Sequence, residues 1–185
     1  IPIVLPYRLA QETHLMHHSH TNDPLKDPDY SVKADNLSNA LWVNLFTNRH
    51  KDLPYLEFLE ESSVKEKVIT EALITRISYW LILVLFVWAG YGVEVMLIWW
   101  LPRLIGSGYI QMTLAWAPHY PMEEQGRYRD TRSFKAALGT FLTLGMEYHI
   151  IHHLHPAIPL NLNPAAYRAL KPILEERNCR LDNNL

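Results

Sequence analysis

Ten histidines are present among 185 residues, and eight of them fall in two seven-residue windows, HLMHHSH at 14–20 and HIIHHLH at 149–155. Each window contains the spacing H-x-x-H-H. On a helix, positions i, i+3 and i+4 share one face. His14, His17 and His18 therefore span an arc of roughly 100°, as do His149, His152 and His153. His20 and His155, two residues further on, rotate off that arc, and His50 is remote in sequence. Six imidazoles exceed the four ligands that zinc normally takes, and imidazole also suits iron and copper. Two metal ions sharing the two triplets is the economical reading. A chance cluster of solvated histidines is the bland alternative, and the repetition of the motif argues against it. The single Cys179 excludes an internal disulfide framework and a thiolate-held cluster, so the metal chemistry must use nitrogen and oxygen ligands.

The triplets must be brought together by what lies between them. From Ile77 to Pro118 the chain is one apolar tract whose only formal charges are Glu94 and Arg103. About 20 apolar residues cross a bilayer as a helix, so these 42 residues are long enough for two crossings, with a break at Gly90-Tyr91-Gly92. Trp88, Tyr91, Trp99 and Trp100 near the break suit an aromatic belt. A buried helical hairpin in a soluble protein is the competing reading; length favours the bilayer. Two crossings return both triplets to one side, whereas a single crossing would separate them by roughly 30 Å of hydrocarbon. Of 17 Lys and Arg, only Arg103 lies within the tract. The other 16 share the triplets' side, which the positive-inside rule assigns to the cytoplasm. Arg103 faces either the bundle interior or an interface.

The expected fold is all-α: an integral membrane helical hairpin with a cytoplasmic helical cap holding a His-ligated di-metal site, in one domain over residues 1–185. Residues 1–22 end in a histidine-bearing helix. Asn22 to Asp35, with two Asp-Pro steps, reads as a loop. Residues 37–76 suggest one or two amphipathic helices at the membrane surface, with Leu53, Leu56, Leu59, Val64, Val68 and Leu73 as apolar positions. Residues 123–133 form a polar loop, Phe134 to His155 a helix, and the proline-rich stretch from Pro156 an irregular, then helical, end. A net charge of −2 gives no basic footprint for nucleic acid.

THLMHHSHTNDP and EYHIIHHLHPAIP resemble the second and third histidine boxes of the membrane fatty acid desaturase family, which includes carotenoid hydroxylases and ketolases. Thr21-Asn22 and the stretch LHPAIP strengthen the match, which covers roughly residues 8–175. The resemblance implies a helical membrane fold with a cytoplasmic di-iron site, O₂ as co-substrate, and an external electron donor that is ferredoxin-like or cytochrome b5-like. It implies His14, His17, His18, His149, His152 and His153 as metal ligands. His119, directly after the apolar tract, matches a further ligand found in some members. Where acyl-CoA desaturases place an Asn on a metal-bound water, this chain has Ala115. The family's first box is absent, since no His precedes His14 and the chain starts at Ile1, so the N-terminal part of the domain is expected upstream.

An alkyl C–H bond offers no acid, base or electrophile to a side chain, so a redox-active metal must activate O₂ while the protein positions the substrate. The expected substrate is a lipid: a fatty acyl chain to be desaturated or, with the same site, a carotenoid ring to be hydroxylated or ketolated. Glu12 and Glu147, each two residues before a box, are candidates for orienting a ligand imidazole through a hydrogen bond; solvation at the surface is their alternative. A membrane zinc-binding or transport protein would need ligands within the crossings, where Glu94 stands alone. A non-catalytic remnant is a further alternative.

Overall fold

In the computed structural model, residues 6–47, 65–136 and 138–184 are described. Helix α1 (Tyr7–His20) buries Leu9, Thr13 and His17, one residue per turn, and so aims one histidine inward. It stops at Thr21-Asn22, where Asn22 adopts a left-handed φ of 64°, a conformation that Asn tolerates better than most residues. The loop to Asp35 contains one 3₁₀ turn, Tyr30–Val32. Helix α2 (Leu37–Trp42) is capped by Asn36, whose side chain accepts from the Asn39 backbone N–H at 2.9 Å. It continues as a π-helical stretch, Val43–Thr47.

Helix α3 (Lys65–Trp88) is, among the described residues, the one helix long and apolar enough to cross a membrane. It begins before the apolar tract: residues 65–76, expected in a surface helix, are its first turns. Lys65, Glu66, Lys67, Glu71 and Arg76 interrupt the hydropathy there without breaking the helix. Leu53, Leu56, Leu59, Val64 and His50 lie outside the described residues. Gly90, at φ 95°, closes α3, with its N–H on the Val87 carbonyl and that of Tyr91 on Phe86; a side chain would be strained in that conformation.

The chain then turns back as α4 (residues 92–116). This arm alternates α and π geometry: Gly92–Glu94, π-helical Val95–Trp100, Leu101–Ile110, π-helical Gln111–Trp116. Pro102 has no N–H to give to the preceding turn, which gives a physical reason for the widened turn just before it. The two arms form a hairpin broken where the glycines stand. They meet through Tyr79 and Leu83 against Val95 and Trp99. Arg103 sets its guanidinium over the Tyr79 ring at 5.5 Å, so it turns toward the other arm. Outward, Trp88, Ile98, Val93 and Ile77 are exposed, and 17% of the most apolar window of α3 is buried.

The rest forms a polar lobe at the open end of the hairpin, mostly helical but not all-α. Strand β1 (Arg132–Lys135) pairs in parallel with β2 (Arg180–Asn184), Arg132 opposite Arg180. The single helix expected from Phe134 to His155 is instead β1, a short α5 (Gly139–Thr143), a 3₁₀ turn and α6 (His149–Leu154). Left-handed backbone at Leu138, Leu144 and Gly145 breaks the run; apolar spacing alone does not report φ. Helix α7 (Asn163–Glu176) closes over α6, with Tyr167 and Leu174 packed on Ile150, Ile151 and Leu154. A second core joins Val32, Ala34, Ala40, Trp116, Met122 and Phe134, and so fixes the base of α4 to the loop after α1.

Candidate metal centre

Both H-x-x-H-H motifs are helical, and α1 and α6 bring them face to face. They do not form one site per motif. One ring nitrogen from each of His17, His119, His149 and His153 lies within 4.8 Å of the others, and His14, His18 and His152 form a second such group. Each motif thus gives its i, i+4 pair to one group and its i+3 member to the other. His14 and His18 are 40° apart on the helix and point together, while His17 turns 60° the other way.

In the second group the three Nε2 atoms form a near-equilateral triangle: His14 to His152 3.2 Å, His14 to His18 3.2 Å, His18 to His152 3.1 Å. Three neutral imidazoles cannot all satisfy one another in a triangle, because each Nε2 is either a donor or an acceptor. Two nitrogens bound side by side on one metal at about 2.1 Å lie about 3.0–3.4 Å apart, for angles from 90° to tetrahedral. The triangle has that size. In the first group, His149 Nε2 and His153 Nε2 are 3.1 Å apart. His119 is fully buried, and its Nε2 has no hydrogen-bond partner. A buried, unpartnered nitrogen aimed into a ring of imidazoles fits a metal ligand. The groups adjoin through His18 and His153, stacked at 4.1 Å.

Backbone and carboxylate partners fix the buried rings. His17 Nδ1 donates to Asp27 Oδ1 at 2.8 Å, since a carboxylate can only accept, and this leaves Nε2 with a free lone pair. His119 Nδ1 donates to the Asp130 carbonyl at 3.1 Å with the same result. The loop bearing Asp130 is tied to α1 by Asn22, whose side-chain amide donates to the Glu124 and Asp130 carbonyls at 2.7 and 2.8 Å.

The electrostatics keep most of these rings neutral. Burial, then the neighbouring histidines, pulls His18 down to about 3 and His152 to about 4. The same causes hold His119, His149 and His153 well below the ordinary imidazole value and lower His14. For His17 burial also acts downward, but the Asp27 hydrogen bond and charge outweigh it and raise the pKa. A neutral imidazole offers the lone pair that a metal needs.

The structure thus gathers all seven histidines singled out in the sequence. It gathers neither glutamate. Glu12 is half-buried on α1, its carboxylate without a hydrogen bond or ion pair to any described residue. Glu147 is buried, and the hydroxyls of Thr140 and Thr143 donate to its carboxylate. His20 turns back to the Met16 carbonyl, and His155 is exposed at the end of α6. Sequence reasoning missed Asp27, whose loop showed only turn formers; its sole signal was an acid in an ordered Asp-Pro turn just past the box.

The family model for fatty acid desaturases matches residues 1–182. Over 72 residues the chain is 39% identical to each of two curated plant proteins, fatty acid conjugase FAC2 B and fatty acid conjugase FAC2 A of Calendula officinalis. The matched stretch is 38% of this chain and spans only 19% of the length of each relative. No solved structure shows significant similarity.

Proposed function

Starting from the fact that the chain belongs to the fatty acid desaturase family, an oxidoreductase family, we propose that it is part of a membrane-embedded di-iron enzyme that uses O₂ to introduce a double bond into lipid acyl chains. The observation that carries this reading is the pair of adjoining imidazole groups, four and three strong, with the ring nitrogens of each converging to within 4.8 Å. Their donor set suits iron. Two groups call for two ions, whereas one zinc ion would leave three imidazoles without a role. Bound there, iron would supply the O₂ activation that an unactivated C–H bond requires.

The chain's own residues do the rest. Asp27 and the Asp130 carbonyl hold His17 and His119 in the tautomer that frees Nε2. Burial of His17, His119 and His149 at 2, 0 and 3% exposure keeps water from the four-histidine group. His14 is exposed and His18 and His152 half-buried, so the three-histidine group opens to the surface, where O₂ and substrate would arrive. The apolar exterior of the hairpin supports embedding of both arms, with the lobe on the cytoplasmic side because 16 of the 17 Lys and Arg lie outside the apolar tract. Electrons come from a separate ferredoxin-like or cytochrome b5-like donor. The conjugase names of the relatives favour an acyl chain over a carotenoid as substrate.

The test is expression of the full-length protein in a host of known lipid composition, with acyl products and bound iron measured together. New unsaturated acyl species that disappear in His153→Ala, together with iron in the purified protein, are the expected result. Purified protein that holds zinc instead of iron and leaves acyl composition unchanged would overturn the assignment.

A further inference from the structure

We infer that Asp27 is a positioning residue for one metal position only: its carboxylate sets the tautomer and rotation of His17 and so tightens the four-histidine group. The inference rests on the reading of the cluster as two metal positions and deepens it.

Asp27 is 1% exposed, with its carboxylate among three donors. Oδ1 accepts from His17 Nδ1 at 2.8 Å and from the Asp29 N–H at 2.8 Å, and Oδ2 accepts from the Asn22 N–H at 2.8 Å. The turn that presents it is closed independently. Asp23 caps it by accepting from the Leu25 and Lys26 N–H groups at 2.9 and 3.1 Å, and the Asp27 N–H reaches the Asp23 carbonyl at 3.0 Å. A carboxylate held this way cannot rotate away from the imidazole, and the imidazole cannot flip without losing a charge-assisted bond. Asp29 Oδ2 stands at 3.9 Å from the same nitrogen, too far for a hydrogen bond.

The effect is confined by geometry. The Asp27 carboxylate meets His17 and two backbone N–H groups, whereas the Nε2 atoms of His14, His18 and His152 face one another. A carboxylate behind a ligating imidazole raises its basicity and fixes its direction, and its removal typically costs about 10–100-fold in metal affinity. That loss should fall on the ion held by His17, His119, His149 and His153 and spare the other.

The experiment is equilibrium binding of ferrous iron to the full-length protein over graded free iron, with bound iron per chain and the melting temperature of the metal-free protein both recorded. Asp27→Asn keeps the shape and one acceptor but removes the charge. The expected result is two ions per chain at saturation in both proteins, one of them bound about 10–100-fold more weakly in the variant and the other unchanged. In a His17→Ala background, Asp27→Asn should add no further weakening, because the interaction it removes is already gone. Should Asp27→Asn not fold, Asp27→Ser, which keeps an oxygen acceptor, supplies the same comparison. Equal weakening of both ions, no weakening, or undiminished weakening without His17 would each overturn the inference. Wild-type protein that binds no iron would overturn the proposed function as well, which separates the two failures.

Discussion

The four-histidine and three-histidine groups are built by one rule and end as different sites. Each takes an i, i+4 pair from one motif and the i+3 residue from the other, so His14, His18 and His152 mirror His149, His153 and His17. The mirror breaks at two places. His119, from the turn after α4, adds a fourth nitrogen to one group, and Asp27 fixes that group's lone contribution from α1. Burial follows the same division, with His17, His119 and His149 inside and His14 exposed. Two crossed helices suffice to make a symmetric pair of sites. The asymmetry comes from loops, which bring one group a further ligand and a seat and leave the other open.

The largest expected effect comes from breaking either group outright. His18→Ala and His153→Ala each remove a nitrogen and the stack between the groups; loss of at least one ion per chain and of detectable turnover is expected, read by metal analysis and acyl products. Activity at the wild-type level in either variant would contradict the assignment.

His119→Ala tests the asymmetry itself. It reduces the buried group to three nitrogens, and the iron-binding curve of the full-length protein should then lose its tighter ion while the other ion stays. An unchanged curve would show that His119 is a structural residue of the turn.

Acid should act on the metal-free protein with a definite sign. Six of the seven rings are lowered in the fold, His18 to about 3 and His152 to about 4, against an ordinary value of 6.5. Between those values the unfolded chain binds protons that the folded chain does not, so stability falls as pH drops below about 6.5. His17 acts in the opposite sense, because its raised pKa favours the folded state below 6.5 and that contribution is lost as pH rises through the folded value. Asp130, raised by burial to about 6, acts in the same sense as His17, and the six outweigh the two. The melting temperature of metal-free protein at pH 5 should lie below that at pH 7.5; the reverse order would mean that the rings are not buried together.

Smaller still is Asn22→Ala, which takes from the Glu124 carbonyl its side-chain donor and from the Asp130 carbonyl one of two, His119 Nδ1 being the other, and puts Ala in a left-handed conformation. A cost of about 2–3 kcal/mol is expected from two lost hydrogen bonds and the backbone term, measured by denaturant unfolding. His20→Ala and His155→Ala, outside both groups, should leave iron content and most activity intact.

The sequence reading located the histidine helices, the hairpin break and the ligand candidates, because each follows from spacing along a single element. Helical periodicity places His14, His17 and His18 on one arc whatever they face. The partition between groups depends on how α1 crosses α6, which no local pattern encodes. The same limit hid Asp27, whose role exists only because Asn22 ends α1 and folds the loop back under it. The start of α3 was obscured by charges that a helix tolerates on an open face, and the β1–β2 pair by its length, since RSFK shows no alternation to read. Glu12 and Glu147 were chosen for nearness in sequence; on α1 the i−2 position of Glu12 points away from the ligand face, and Glu147 sits in the 3₁₀ turn before α6, where its carboxylate takes the Thr140 and Thr143 hydroxyls.

The most direct measurement is the number and kind of iron sites in the purified full-length protein, by metal analysis with Mössbauer spectroscopy of ⁵⁷Fe-loaded samples. Two ions per chain in two inequivalent nitrogen-rich environments, one of them lost in His119→Ala, is the predicted result. A single ion per chain, or two ions that all seven histidine-to-alanine variants affect alike, would contradict a pair of sites divided four and three.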